Sequence, residues 1–190
     1  MLLWRLADLS DGVAVDAQIM SRFGQDMLAS DQSLSGLLVE RLVASHGLVI
    51  DYGGKIEHEW FTQCTHPLFR EWYIQNLKLG HIRVVKGLIA DEHKRALQTR
   101  LGFPKRGYDI VYVKVANDTQ KKYIVTDDLD FFDPKHKKSS HDTRERIKKQ
   151  RDCGVCAYLD KRMGIKVGTP AHASVDLFPE APVHEEEPAT

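Results

Sequence analysis

"YIVTDDLDFFDP" (residues 123–134) sets a short apolar run directly before four aspartates. Tyr123, Ile124 and Val125 have the aromatic and β-branched character of a buried strand, which is predicted over Lys122–Thr126. Asp127, Asp128, Asp130 and Asp133 follow it immediately. Clustered carboxylates repel one another and hold their protons more tightly unless a cation or hydrogen-bond donors compensate. Acids leaving a strand also carry topological weight, because active groups of open parallel sheets gather beyond the carboxyl ends of the strands. The question is then whether the sheet is parallel.

The elements on either side predict that it is. "DGVAVDAQIM" has an Asp-Gly turn at Asp11 and Gly12, the short strand Val13–Val15, and Asp16 at the exit, followed by a helix to about Ala29. The next helix is predicted from a cap at Asp31, with Leu34, Leu37, Leu38, Arg41 and Leu42 at helical spacing and Gly47 as its stop. "LVIDYGGKI" predicts a second strand turning at Gly53–Gly54. "EHEWFTQC" and "HPLFREWYIQNLKLG" predict two helices, with Trp60, Phe61, Phe69, Trp72 and Tyr73 as core. "HIRVVKG" is a short strand, and "LIADEHKRALQTRLG" is helical up to Gly102. "GYDIVYVKVANDTQKK" has strand-forming valines, yet Asp109, Tyr112, Val113 and Ala116 share a helical face with Asp109 as cap. A basic helical segment runs to about Arg162, and "MGIKVGTP" gives a last strand closed by Pro170. Short apolar strands alternating with helices predict an α/β fold whose mostly parallel central sheet is covered by helices on both faces.

Composition narrows the class. The chain of 190 residues is large enough for one solid core. Its 42% hydrophobic and 28% charged content is that of a soluble globular protein, and no run approaches the roughly 18 apolar residues of a membrane span. The start, "MLLWRLADLSDG", mixes charges with apolar residues and predicts no secretory leader. Three cysteines suit a reducing cytoplasm better than a disulfide framework. Charge is balanced at 27 basic and 27 acidic residues but unevenly spread. Residues 135–151 hold eight Lys or Arg against Asp142 and Glu145, a local charge of +6. The end, residues 176–190, has five acids, three prolines and no Lys or Arg, and is expected to lack fixed structure. The expected organisation is a domain over residues 1–175, with a basic insertion at 135–162, and an acidic tail.

On a parallel sheet Asp16 leaves the first strand and Asp128 a later one. Glu59 begins the helix after the second strand, and Asp109 the helix before the acidic strand. All four are expected at one rim. Each acid alone also has a structural reading: Asp109 as a helix cap, Asp133 and Asp51 as turn formers, Asp127 as an exposed residue. "CGVC" (Cys153–Cys156) has the spacing of half a zinc site or a redox pair, with only Cys64 and His66 to complete it, and is read as two small apolar residues on a helix. His136 and His141 are surface residues within reach of phosphate.

The acids resemble those of the PIN-domain nucleases. "VAVDAQIM" is similar to that family's first-strand aspartate, "GKIEHEW" to the segment carrying its glutamate, "YDIVYVKVAND" to the helix with its third acid, and "IVTDDLDFF" to its Thr-x-Asp-x-Asp-Phe strand end. The resemblance spans roughly residues 12–134 and 163–172. It departs from the family at Ala17–Gln18 and in the enlarged connection over residues 135–162. It implies a three-layer PIN-like fold, with Asp16, Glu59, Asp109 and Asp128 catalytic. The same four and Asp130 would hold Mg²⁺ or Mn²⁺, hard cations that prefer oxygen ligands. Such ions activate water and stabilise a leaving oxygen, giving 3′-hydroxyl and 5′-phosphate products.

Thr126 is expected to hold a carboxylate or a substrate phosphate. The basic run is either a solvated face or a grip on a polyanion; following the acids directly, it is read as the grip. Lys135, Lys137, Lys138, Arg144, Lys148 and Arg151 are its candidates. The expected function is a metal-dependent endonuclease acting on RNA ahead of DNA. Many small members of the family are toxins, which implies an inhibitor (antitoxin) protein and a second copy of the chain as partners, and no membrane. Two further functions compete with it: a DNA- or structure-directed nuclease of defence or repair, and a non-catalytic RNA-binding or scaffold protein whose acids are structural. A phosphotransfer receiver is excluded by the missing early acidic pair, and a dehalogenase-type phosphatase by the late position of "DLDFF".

Overall fold

The computed structural model describes residues 11–29, 31–105 and 107–179. The amino-terminal segment and most of the acidic tail, expected to lack fixed structure, lie outside the described residues. Among the described residues there are five short strands: β1 (Ala14–Val15), β2 (Leu48–Asp51), β3 (Ile82–Val85), β4 (Tyr123–Val125) and β5 (Lys166–Gly168). Every pairing is parallel. β4 lies between β1 and β5, with Ala14 opposite Ile124 and Tyr123 opposite Lys166, and β2 pairs with β3, Leu48 opposite Ile82. A single bridge from Val13 to Leu48 joins the two groups, so the spatial order is β3-β2-β1-β4-β5. Val13, Ala14, Val15, Ile124 and Val125 are completely buried, as expected of strands covered on both faces.

The covering helices are α1 (Ala17–Asp26), α2 (Leu34–Ser45), α3 (Lys55–Gln63), α4 (Pro67–Leu79), α5 (Asp91–Arg95), α6 (Asp109–Asn117), α7 (His141–Lys149), α8 (Gly154–Met163) and α9 (Pro170–Asp176). α6 packs on β1, β2 and β4, α4 on β3, and α8 and α9 on β5. The aromatic stripe is core as predicted: Trp60, Phe69 and Tyr73 are buried, with Phe61 and Trp72 packed against them. Among the described residues no helix is long and apolar enough to cross a membrane.

Three local expectations are corrected and one helix is added. The cap of α2 is Ser33, which accepts from the Gly36 amide at 3.2 Å, and not Asp31; Asp26 fixes it by accepting from the Ser33 amide at 3.1 Å. Asp109 is the first helical residue of α6, Tyr108 taking the cap position, so its carboxylate is not used up by the helix's own amides. The segment predicted as one basic helix is broken: 3₁₀ turns at Leu129–Phe131 and Pro134–His136 precede α7, and α8 starts afresh at Gly154. Gly154 has φ +62°, and a Cβ there would lie 2.2 Å from the Phe132 carbonyl oxygen, so only glycine lets the chain turn back so closely. Pro170 closes the last strand as expected, and it also opens the added helix α9, with Thr169 and His172 forming a reciprocal cap.

Candidate active site at the strand ends

The strand order reverses direction between β1 and β4, because the chain builds outward through β2 and β3 on one side and returns through β4 and β5 on the other. A crevice beyond the carboxyl ends opens at such a switch point. Asp16 and Thr126 are the residues that leave these two strands. Asp16 is 5% exposed, and its amide donates to the Val125 carbonyl at 2.9 Å. Its carboxylate caps α1 by accepting from the Gln18 amide at 3.3 Å. The fully buried Thr126 hydroxyl donates to Asp16 Oδ2 and accepts from the Asp128 amide, the latter at 2.9 Å. Asp128 Oδ1 in turn accepts from the Asp130 amide at 2.9 Å, starting the 3₁₀ turn that buries Asp130. Thr126 therefore positions both Asp16 and Asp128, the carboxylate role expected of it.

Glu59 comes in from α3. Its neighbour Trp60 is fully buried and donates Nε1–H to the Val15 carbonyl at 3.1 Å, which pins this turn of α3 beside the end of β1. Tyr112 on α6 donates its hydroxyl to Glu59 Oε2 at 2.8 Å and accepts from the Ala17 amide at 3.2 Å. Its spacing in the sequence places it on a helical face, but nothing there signals that it links α3, α6 and the start of α1.

The electrostatics tie the acids together. Burial pushes the Asp16 carboxyl up to about 7, against the hydrogen bonds from Thr126 and Gln18, and the charges of Asp128 and Glu59 push the same way as burial. Asp109 is likewise raised to about 7, by burial first and then by Asp128, Asp130, Asp16 and Glu59. Glu59 is raised by burial and Asp128, with the Tyr112 hydrogen bond opposing. Asp130 pairs with Lys137, yet burial and Asp128 outweigh that cation, so its carboxyl is raised while the Lys137 ammonium is stabilised as well. The charge of Asp128 acts on each of Asp16, Glu59, Asp109 and Asp130, and Asp109 is reached by the other four.

Their chemistry, oxygen donors crowded in a desolvated rim, fits a hard divalent cation. Their orientation is less complete. Among the described residues no three Asp, Glu, His or Cys side chains are gathered as a formed ligand group. Asp16 is turned to Thr126, Glu59 to Tyr112 and Asp130 to Lys137. The mutual charge effects act at longer range than ligation, so the two observations agree on a shared rim with carboxylates held on internal donors.

A cleft of about 550 Å³ opens beside Asp128, lined by the acids Asp127, Asp128 and Glu145 together with Arg22, Lys137, His141, Arg144 and Lys148. A second cavity of about 470 Å³ shares Arg22, Asp127, Glu145 and Lys148 with it, continuing the groove to Lys149, Thr169 and His172. Three of the six basic candidates, Lys137, Arg144 and Lys148, thus line the cleft. Lys135 and Lys138 are exposed outside it. Arg151 is placed elsewhere: both its terminal nitrogens are on the Asp176 carboxylate, and it lines a separate cavity with Cys156 and Lys166.

Arg22 joins the cleft without having been a sequence candidate. Its only sequence signal is its place four residues after Gln18 on α1, which sets both beside the cleft. Asp127, expected exposed, is half-buried and paired with Arg22. Asp51 and Asp133 are turn and cap residues as read: Asp51 accepts from the Ile56 amide at 2.8 Å and Asp133 from the Lys135 amide at 3.1 Å. Of the cysteines, Cys156 is a buried residue of α8, whereas Cys153 is exposed ahead of it. Burial pushes the Cys64 thiol up to about 12 and Cys156 up to about 11, away from thiolate chemistry.

Comparison with protein-family models, with curated proteins and with solved structures finds no match for this chain.

Proposed function

We propose that the chain is a nuclease that hydrolyses phosphodiester bonds with the help of Mg²⁺ or Mn²⁺, acting on RNA first and DNA second. The observation that carries the reading is the gathering of acids from four separate stretches of chain: Thr126 hydrogen-bonds both Asp16 and Asp128, Tyr112 hydrogen-bonds both Glu59 and the Ala17 amide, and the charges of Asp16, Glu59, Asp128 and Asp130 all reach Asp109. The resemblance of these acids to those of PIN-domain nucleases supports the same assignment, and with it an inhibitor protein and self-association as partners to look for.

In this reading Asp16, Glu59, Asp109, Asp128 and Asp130 would hold the cation, whose chemistry when bound is to activate water and offset charge on the leaving oxygen. Thr126 keeps Asp16 and Asp128 in register, and Tyr112 does so for Glu59. Among the described residues the Asp109 side chain accepts no hydrogen bond, and its carboxyl titrates near neutrality. Of the five acids it alone is not turned to a donor of the protein, which leaves it open to the cation. Arg22, Lys137, Arg144 and Lys148 line the path by which a phosphate backbone reaches the acids.

The test is cleavage of labelled single-stranded RNA and DNA by purified protein with Mg²⁺, Mn²⁺ or EDTA. Metal-dependent cleavage that is lost in Asp128→Asn supports the proposal. Tight binding without cleavage in any metal would replace it with a second reading, a nucleic-acid-binding module. The internal pairing of Asp130 with Lys137 and of Asp127 with Arg22 is what favours that second reading, since carboxylates already met by protein cations have less need of a metal.

A further inference from the structure

A second cationic cavity lies outside the acid cleft and shares no lining residue with it. It measures about 630 Å³ and opens between α8 and the segment that continues α5. Arg95 and Arg100 face it from one side, and Tyr158, Lys161 and Arg162 from the other. Tyr158, Lys161 and Arg162 are three and four residues apart on α8 and so form one face. Arg95 and Arg100 are five apart, a spacing that an ordinary α-helix turns to different sides. Here residues Ala96–Arg100 form a π-helical turn, with the Leu101 amide bonded to the Ala96 carbonyl at 3.3 Å. Widening the turn brings residues five apart to the same side. Full π turns are rare and occur most often at functional sites.

Among the described residues none of Arg95, Arg100, Lys161 and Arg162 takes part in an ion pair. The one carboxylate at the rim, Glu92, reaches only His93, at 3.8 Å. Basic residues in the last turn of a helix offset its dipole, and that would account for Lys161 and Arg162 alone. It does not account for two helical segments turning their cations onto one concave surface. Nor is the cavity built for an apolar small molecule, since its walls are mainly polar. At its base the Tyr158 hydroxyl and His93 Nδ1 are bonded at 2.9 Å, which fixes an aromatic surface beside the cations.

We infer that this cavity is a second nucleic-acid site, which holds the phosphate backbone of a strand at a distance from the acid cleft. Three guanidinium forks suit phosphate oxygens, which they bind through two parallel hydrogen bonds. An aromatic side chain beside them suits an unpaired base. The choice of nucleic acid as ligand rests on the proposed function; the concentration of unpaired cations does not.

The experiment measures binding of a labelled single-stranded RNA by fluorescence anisotropy in EDTA, so that cleavage plays no part. The fourfold variant Arg95→Gln, Arg100→Gln, Lys161→Gln, Arg162→Gln should bind about tenfold more weakly or worse. Its log–log salt slope should shrink by about 3, because each of the four lost phosphate contacts on a single strand removes roughly 0.7. All four side chains are exposed, so the thermal melt should not move. Wild-type affinity and slope in this variant would overturn the inference, as would failure of the wild type to bind RNA. A polyglutamate peptide that binds the wild type and not the variant, with RNA affinity intact, would assign the cavity to an acidic protein and overturn it too. Loss of cleavage in Asp128→Asn bears on the nuclease reading alone and leaves the anisotropy result standing.

Discussion

At the carboxyl ends of β1 and β4 the acids are gathered together, and burial raises the proton affinity of Asp16, Glu59, Asp109 and Asp130. Along α7 the lysines and arginines are exposed or half-buried and spread over the surface. The chain has equal numbers of each charge, 27 and 27, so composition does not distinguish the two regions. Solvation does. A desolvated carboxylate beside others is costly until something cationic meets it, whereas an exposed lysine costs little wherever it stands. The acid rim is therefore the region whose geometry has to be specified by the fold, and the basic flank is the region that can drift in sequence without disturbing it.

The sharpest break in that comparison comes from removing one acid. Asp128→Asn keeps the acceptor that starts the 3₁₀ turn but loses the charge. Cleavage should fall by about a hundredfold or more, a size typical of losing one group that stabilises charge in a transition state. Circular dichroism should still show the native fold. Cleavage at the wild-type rate would remove the acids from the chemistry.

Asp16→Asn tests the cost of burial itself. The Asp16 carboxyl goes from an ordinary 3.8 to about 7 on folding. Because the folded value is the higher one, the stability associated with the protonated group is fully present below about pH 3.8 and is lost as pH rises through about 7. In EDTA the variant should therefore melt above the wild type at pH 8, by as much as ~4 kcal/mol, and the two should converge towards pH 4. Equal melting at pH 8 would mean that Asp16 is already compensated inside the protein.

The unequal character of the two regions also explains what can be read from sequence. Asp16, Thr126 and Asp128 are legible because strand, exit residue and charge are contiguous, and the parallel sheet follows from the alternation of strands and helices. Glu59 and Asp109 need the resemblance as well, since each alone reads as a helix start. Tyr112 is hidden because its hydroxyl meets Glu59 and Ala17 across 53 and 95 residues of sequence. In the basic flank local charge density is legible and direction is not. A lysine looks the same whether it faces the cleft, as Lys148 does, or open water, as Lys138 does. The direction of the run depends on the break before Gly154, where the chain passes close to the Phe132 carbonyl, a contact that local sequence does not announce.

A smaller effect is expected from the cleft's cationic side chains. Arg22→Gln, Arg144→Gln and Lys148→Gln together should reduce the salt slope of single-stranded RNA binding by about 2 and weaken affinity about tenfold at moderate salt. The acids are untouched, so cleavage at saturating substrate should fall much less than affinity. If turnover fell as far as affinity, the two regions would be acting as one unit and the contrast between them would fail.

The smallest effect on binding should come from Arg151, although it sits in the same basic run. Its guanidinium is held on Asp176 of α9, and Asp176 also accepts the Tyr123 hydroxyl at 2.8 Å. These partners hold the Asp176 carboxyl below its ordinary range despite burial. Arg151→Gln should therefore leave RNA affinity within about twofold, since no phosphate contact is lost. It should instead lower stability, by about 1 kcal/mol at neutral pH for a partly exposed pair, because Asp176 keeps its burial and loses its cation. That loss should shrink as pH falls through the depressed Asp176 value, where the carboxyl takes up its proton and no longer needs the guanidinium. Arg144→Gln, measured beside it, should do the reverse: weaken RNA binding and leave the melt alone. If Arg151→Gln weakened RNA binding as much as Arg144→Gln, the run would have to be treated as one uniform field of charge, and the division of its side chains into cleft-lining and structural members would be wrong.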